Sequence, residues 1–130
     1  MQKEIPVDQF VLSTYGLGFD GLLAFYNPIY EDDEKALQKA FLQQIPWPKD
    51  ANQPYFVRGS KILSKKIGKG MHHGITATAN WFYGPQGRSL RLKTKLPDMN
   101  KFLNRFDYKN QKILNFEMET SALYGLSACL

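Results

Sequence analysis

Two short runs hold most of the side chains able to recognise a small polar ligand. The first, Phe82-Tyr83-Gly84-Pro85-Gln86-Gly87-Arg88, sets a primary amide and a guanidinium two residues apart in a stretch shaped by two glycines and a proline. On an extended backbone, residues two apart point to the same side. Gln86 and Arg88 then offer one carbonyl acceptor beside several N–H donors. The edge of uracil reads acceptor, donor, acceptor, so the amide oxygen can take its N3 proton while amide and guanidinium hydrogens reach the two carbonyl oxygens. Phe82 can stack on or flank such a ring. Taken singly, Arg88 also fits a surface salt bridge and Gln86 a solvated loop; the pair within one shaped loop favours the ligand reading.

The second run, Asn115-Phe116-Glu117-Met118-Glu119-Thr120, puts two carboxylates on either side of a methionine where a strand gives way to a helix. Alternation directs Glu117 and Glu119 to one side, and an ionised carboxylate can accept hydrogen bonds from two adjacent sugar hydroxyls. The structural alternative is a helix cap, because a carboxylate at a helix start also gains from the dipole. A glycosidase acid/base pair is excluded: two acids so close on one element cannot flank a scissile bond from opposite faces.

Other polar residues read as structural. His72 and His73 are adjacent and point to opposite faces of a strand, so they cannot readily share a metal. Asp20-Gly21 reads as a turn, and the single cysteine, Cys129, as a small core residue. With one cysteine there is no internal disulfide, and no spacing suggests zinc.

The elements that must position the two runs follow from periodicity. Asp8 to Thr14 predicts a strand, Gly16 and Gly18 a turn, and Leu22 to Phe25 a further paired strand. Glu31, Asp32, Asp33 and Glu34 suit a helix N-terminus, and Ala36, Leu37, Ala40, Phe41 and Ile45 carry the helix onward at helical spacing. Prolines at 46, 48 and 54 interrupt it. A second helix is expected from about Phe56 through Ile67, stopped by Gly68 and Gly70. Met71 to Ala79 predicts a buried central strand, and Asn80 to Arg88 a loop at its carboxyl end, where α/β sheets hold ligands. A helix from Asp98 through Phe106, a strand over Ile113 to Met118 and a helix over Thr120 to Leu130 complete the alternation, which argues for an α/β layered sheet. The two runs would then converge on one crevice from the carboxyl ends of neighbouring strands.

Composition restricts the alternatives. A chain of 130 residues is one domain's worth, read as a single unit over 1–130. Hydrophobic residues at 43% with 22% charged argue against disorder and against a disulfide scaffold. No apolar stretch is long enough for a membrane span and the N-terminus lacks a signal-peptide plan, so a cytoplasmic protein without a membrane partner is expected. The formal charge of +5 comes from dispersed Lys and Arg, which favours a solvated surface over a nucleic-acid partner.

The runs GITATANWFYGPQGR and NFEMET resemble the uridine phosphorylase branch of the nucleoside phosphorylase family. Ile5 to Phe25 also resembles the strand pair that follows the family's glycine loop for phosphate and ribose. The resemblance implies a portion of a three-layer α/β fold with a mixed central sheet flanked by helices. It implies phosphorolysis of a pyrimidine nucleoside to uracil and ribose 1-phosphate, with phosphate as co-substrate, no cofactor, no metal, and assembly as dimers or higher homo-oligomers. Carried over by position, Phe82 lies against the pyrimidine, Gln86 and Arg88 bind its edge, Met118 lines the ribose pocket and Glu119 binds ribose hydroxyls, with Glu117 nearby. Arg88 and Glu119 are the implied catalytic pair. The family's phosphate arginines and glycine loop have no counterpart in this sequence. The resemblance therefore implies a middle-to-C-terminal portion, holding the base half and part of the ribose half of a site, that does not turn over alone. The alternative is a non-catalytic remnant that self-associates through uncovered apolar surfaces.

Overall fold

The computed structural model describes residues 2 and 4–130. The elements follow in the order β1 (Val11–Gly18), α1 (Asp32–Gln44), β2 (Tyr55–Arg58), α2 (Lys61–Ile67), β3 (His72–Thr78), α3 (Met99–Arg105), β4 (Asp107–Tyr108), β5 (Gln111–Glu117) and α4 (Thr120–Ala128). The strands form one sheet ordered β2-β1-β3-β5-β4. β3 runs parallel to β1 and to β5, while the edge strands β2 and β4 pair antiparallel. The fold is thus α/β with a mixed central sheet flanked by helices.

The α1 helix shows how local sequence sets an element. Glu34, at the third helical position, accepts the Glu31 N–H at 2.7 Å on one carboxylate oxygen and the Arg58 N–H at 2.7 Å on the other. One buried side chain therefore closes the helix start and ties it to β2. Leu37, Ala40 and Phe41 recur at helical spacing and are buried against the sheet. Full burial of Phe41 contributes roughly 2 kcal/mol from apolar area alone. Around it lie Phe19, Trp47, Phe56 and Phe106, the Phe19 and Trp47 rings stacked with centroids 4.7 Å apart. Ile75, Ala77 and Ala79 join this aromatic core, and Thr76 and Thr78 are equally buried on the opposite face, in keeping with a central strand.

Several expectations are corrected. Gly16 and Gly18 do not turn the chain; β1 continues through both, hydrogen-bonded to β2 and β3. Leu22–Phe25 is a 3-10 turn rather than a strand, entered through Gly21 at φ +73°. The helix expected from Phe56 divides: Tyr55–Arg58 pairs with β1, and helix begins only at Lys61, where the Ser60 hydroxyl accepts the Leu63 N–H at 3.3 Å. Sheet pairing overrides a periodicity that both structures satisfy. Cys129 is exposed rather than in the core. His73 donates its Nε2 hydrogen to the Gly68 carbonyl at 2.8 Å. Among the described residues no helix is long and apolar enough to cross a membrane.

Candidate functional site

The parallel pairing of β3 with β5 sets Thr78 beside Glu117, so the two runs leave the sheet from adjacent carboxyl ends. The Ala79 N–H donates to the Glu117 carbonyl at 3.1 Å, which extends that adjacency by one residue.

Past β3 the backbone is not extended as the sequence suggested. Gly84–Gln86 forms a 3-10 turn with Pro85 in its first turn, followed by Gly87 at φ +69°. The Tyr83 carbonyl accepts the N–H groups of both Gln86 and Arg88, at 3.0 and 3.1 Å. A Cβ at Gly87 would also meet the Asn100 amide at 3.1 Å, and Asn100 Nδ2 donates to the Gln86 carbonyl at 3.2 Å. The left-handed residue and the start of α3 together fold the loop back on itself.

This turn still brings the amide and guanidinium together. Gln86 is 8% exposed, and its Oε1 lies 3.4 Å from Arg88 Nη2. Arg88 sits over the Phe82 ring, its Cζ 5.5 Å from the centroid, while Phe82 itself is half exposed. Beside Arg88 opens a cavity of about 1330 Å³ lined by Phe19, Trp47, Asn80, Trp81 and Tyr83, among others. The Asp50–Lys95 ion pair crosses its rim. Hydrogen bonding from Lys95 holds the Asp50 carboxyl below its ordinary value.

At the end of β5 the two carboxylates part company. Glu117 Oε1 accepts the Thr78 hydroxyl at 2.6 Å, and Oε2 accepts the N–H groups of Glu119 and Thr120 at 2.7 and 2.8 Å. Burial pushes the Glu117 carboxyl up, but these donors outweigh it and hold the group below its ordinary value. Glu117 thus satisfies the open N-terminus of α4. Glu119 is no longer in the strand; it is exposed, and its Oε2 accepts the Met118 N–H at 3.2 Å. Met118 is half-buried, and Phe116 packs edge-on against Phe19, with centroids 6.0 Å apart. Of the residues singled out from sequence, Gln86, Arg88 and Phe82 form one cluster. Glu117, Met118 and Glu119 form another at the next strand end, and none of those three lines the cavity beside Arg88.

No protein-family model and no curated protein matches the sequence. Among solved structures, the chain is similar to a Trypanosoma brucei nucleoside phosphorylase whose crystal structure shows uridine phosphorylase activity. The superposition has a TM-score of 0.81 at 22% identity and covers 97% of this chain. The fold is part of the nucleoside phosphorylase fold. The chain spans 46% of the length of that neighbour.

Within this fold, a buried polar cluster behind the β5 run has almost no signature in the sequence. Asp20, from the segment after β1, meets Tyr55 of β2, Thr78 of β3 and Ser121 of α4 beneath the start of α4. The one signal in the sequence is the spacing Gly16-x-Gly18-x-Asp20, which reads as a turn but within a strand leaves two vacant side-chain positions on one face, leading to an acid.

Proposed function

We propose that the chain forms the base side and part of the ribose side of a pyrimidine nucleoside site serving phosphorolysis to uracil and ribose 1-phosphate. The observation that carries this reading is the Gln86–Arg88 contact on a loop at the carboxyl end of the central strand, where open α/β sheets hold ligands. Support comes from the fold shared with the trypanosomal nucleoside phosphorylase, which has uridine phosphorylase activity.

In this reading Phe82 flanks the pyrimidine and Gln86 with Arg88 binds its acceptor–donor–acceptor edge. Met118 contacts the ribose, Glu119 accepts its hydroxyls, and Glu117 adjoins them. As the glycosidic bond lengthens the sugar becomes oxocarbenium-like and the base gains negative charge. A guanidinium preorganised at a base oxygen then interacts most strongly in the transition state, and a carboxylate near the sugar favours its developing positive charge. None of these residues is assigned to phosphate, so nucleoside binding is the primary readout.

Calorimetric titration of uridine into the purified chain tests the reading. Saturable binding at millimolar ligand is expected, weakened at least about tenfold in Arg88→Ala, which loses a charge-assisted hydrogen bond. No binding by the parent chain, or unchanged affinity in Arg88→Ala, overturns it. Phosphorolysis of uridine in phosphate buffer is the parallel assay.

A second copy of the chain is the proposed partner. Leu123 on α4 is 67% exposed, and Leu126 and Leu130 are also exposed; Phe25 and Ile29 add further apolar surface. Sedimentation equilibrium reporting a monomer at high concentration would remove this partner.

A further inference from the structure

The polar cluster beneath α4 is not explained by packing alone. Asp20 stands just past the end of β1. Its Oδ1 accepts the Leu22 N–H at 2.7 Å and lies 2.9 Å from the Tyr55 hydroxyl, and its Oδ2 lies 3.1 Å from that hydroxyl and 2.9 Å from the Ser121 hydroxyl. The two hydroxyl oxygens are themselves 3.1 Å apart. Each hydroxyl has a single hydrogen, so both can donate to the carboxylate, or one can donate to the other, which then donates to Asp20. In every arrangement the carboxylate is the final acceptor.

Ser121 carries the connection toward the candidate ligand side. Fully buried in the first turn of α4, it donates its N–H to Thr78 Oγ1 at 3.0 Å. Thr78 passes its own hydrogen to Glu117 at 2.6 Å, and Glu117 accepts the Glu119 N–H at 2.7 Å. The contacts are continuous from the end of β1 to the backbone of Glu119.

A separate observation indicates that the sheet is shaped for this cluster. A Cβ at Gly16 would come 2.9 Å from the Cα of Ser121, and a Cβ at Gly18 would come 2.2 Å from the Tyr55 ring. Only glycine at these positions lets α4 and the Tyr55 ring lie flat on β1 and reach Asp20.

We infer that Asp20, Tyr55 and Ser121 are positioning residues for Glu119. By fixing the start of α4 and, through Thr78 and Glu117, the Glu119 amide, they hold the Glu119 carboxylate where a ribose would present its hydroxyls. The inference rests on the proposed ribose role of Glu119. It adds three residues with no ligand contact of their own, acting as a supporting layer behind a binding group.

Comparing uridine with uracil separates positioning from general stability, because uracil has no ribose for Glu119 to bind. Tyr55→Phe, Ser121→Ala and Asp20→Asn are to be titrated calorimetrically with both ligands, and exchange of the Glu119 and Thr120 amide hydrogens followed by NMR. Uridine affinity is expected to fall about tenfold while uracil affinity stays within about twofold of the parent, with faster exchange at both amides. Tyr55→Phe keeps the ring and is the variant to rely on if Asp20→Asn fails to fold. Equal losses for the two ligands, or an unchanged uridine-to-uracil ratio in a folded variant, overturn the positioning role and leave the nucleoside reading standing. A parent chain that binds neither ligand overturns both.

Discussion

The two faces of the sheet use the same strands for opposite chemistry. Toward α1 and α3, β1, β2 and β3 present Leu17, Phe56, Ile75 and Ala77, and the space is filled by aromatic rings in tilted and edge-on contact. Toward α4, β1 and β3 present Ser13, Thr76 and Thr78, while β2 adds Tyr55 and Val57 in a small cluster with Leu23 and Tyr124. There Ser13 bonds Thr76, Thr76 donates to Asn115 at 2.6 Å, and Thr78 donates to Glu117 at 2.6 Å. The aromatic face gains from apolar area, which is large and non-directional. The polar face contributes less net energy per contact, but each bond demands a particular geometry and leaves an unpaired group if broken. The side that carries Glu117 and the start of α4 is the polar one.

Substitutions on either face can break or sharpen this contrast. The largest loss is expected from Phe41→Ala, which empties a fully buried position; it should lower stability by about 4 kcal/mol in urea unfolding. Its folded fraction should retain the parent's uridine-to-uracil ratio, and a changed ratio would mean that the two faces are not separable. Gly18→Ala forces the Tyr55 ring aside. A stability loss of about 3 kcal/mol is expected from overpacking, this time with a reduced uridine preference on titration.

Thr78→Val is close to the same shape but removes the partner of both the Ser121 N–H and a Glu117 oxygen. About 2 kcal/mol should be lost in the same assay, and a neutral result would show that solvent or a neighbour replaces the hydroxyl. The smallest effect is pH-dependent. Because Glu117 titrates below its ordinary value when folded, the unfolded chain takes up the proton first. Its stabilising contribution is therefore full above the ordinary glutamate value of about 4.3 and is lost as pH falls through the lower folded value. Glu117→Gln should flatten the acid limb of a stability profile measured between roughly pH 3 and 6, and an unaltered limb would argue against this carboxylate as the charged end of the polar chain.

Legibility in the sequence followed the range of the interactions. The α1 helix, the buried strand around Ile75, the helix before Phe106 and the final helix were readable, because each repeats its apolar residues at its own period. The 56–67 segment was not. Val57, Ile62, Leu63 and Ile67 suit one helix as well as a strand followed by a helix, and the antiparallel pairing of Val57 with Gly16 decides between them. The loop of Gln86 and Arg88 was located correctly, yet the geometry that joins the two side chains is a 3-10 turn rather than the extended backbone that alternation assumed. At the other run, the helix-cap alternative describes Glu117, while Glu119 moves out of the strand to the helix threshold.

From its own residues the chain determined an α/β alternation, an amphipathic α1 and two polar runs at strand ends, since these depend on neighbours within a few positions. Tertiary structure decided that β1 passes straight through its glycines, that Tyr55 lies across the space they leave, and that Asp20, Thr78 and Ser121 meet behind Glu117. Those groups lie up to 101 positions apart. The hydrogen bonds that select their arrangement exist only once sheet pairing has brought the strand ends together and excluded water from between them.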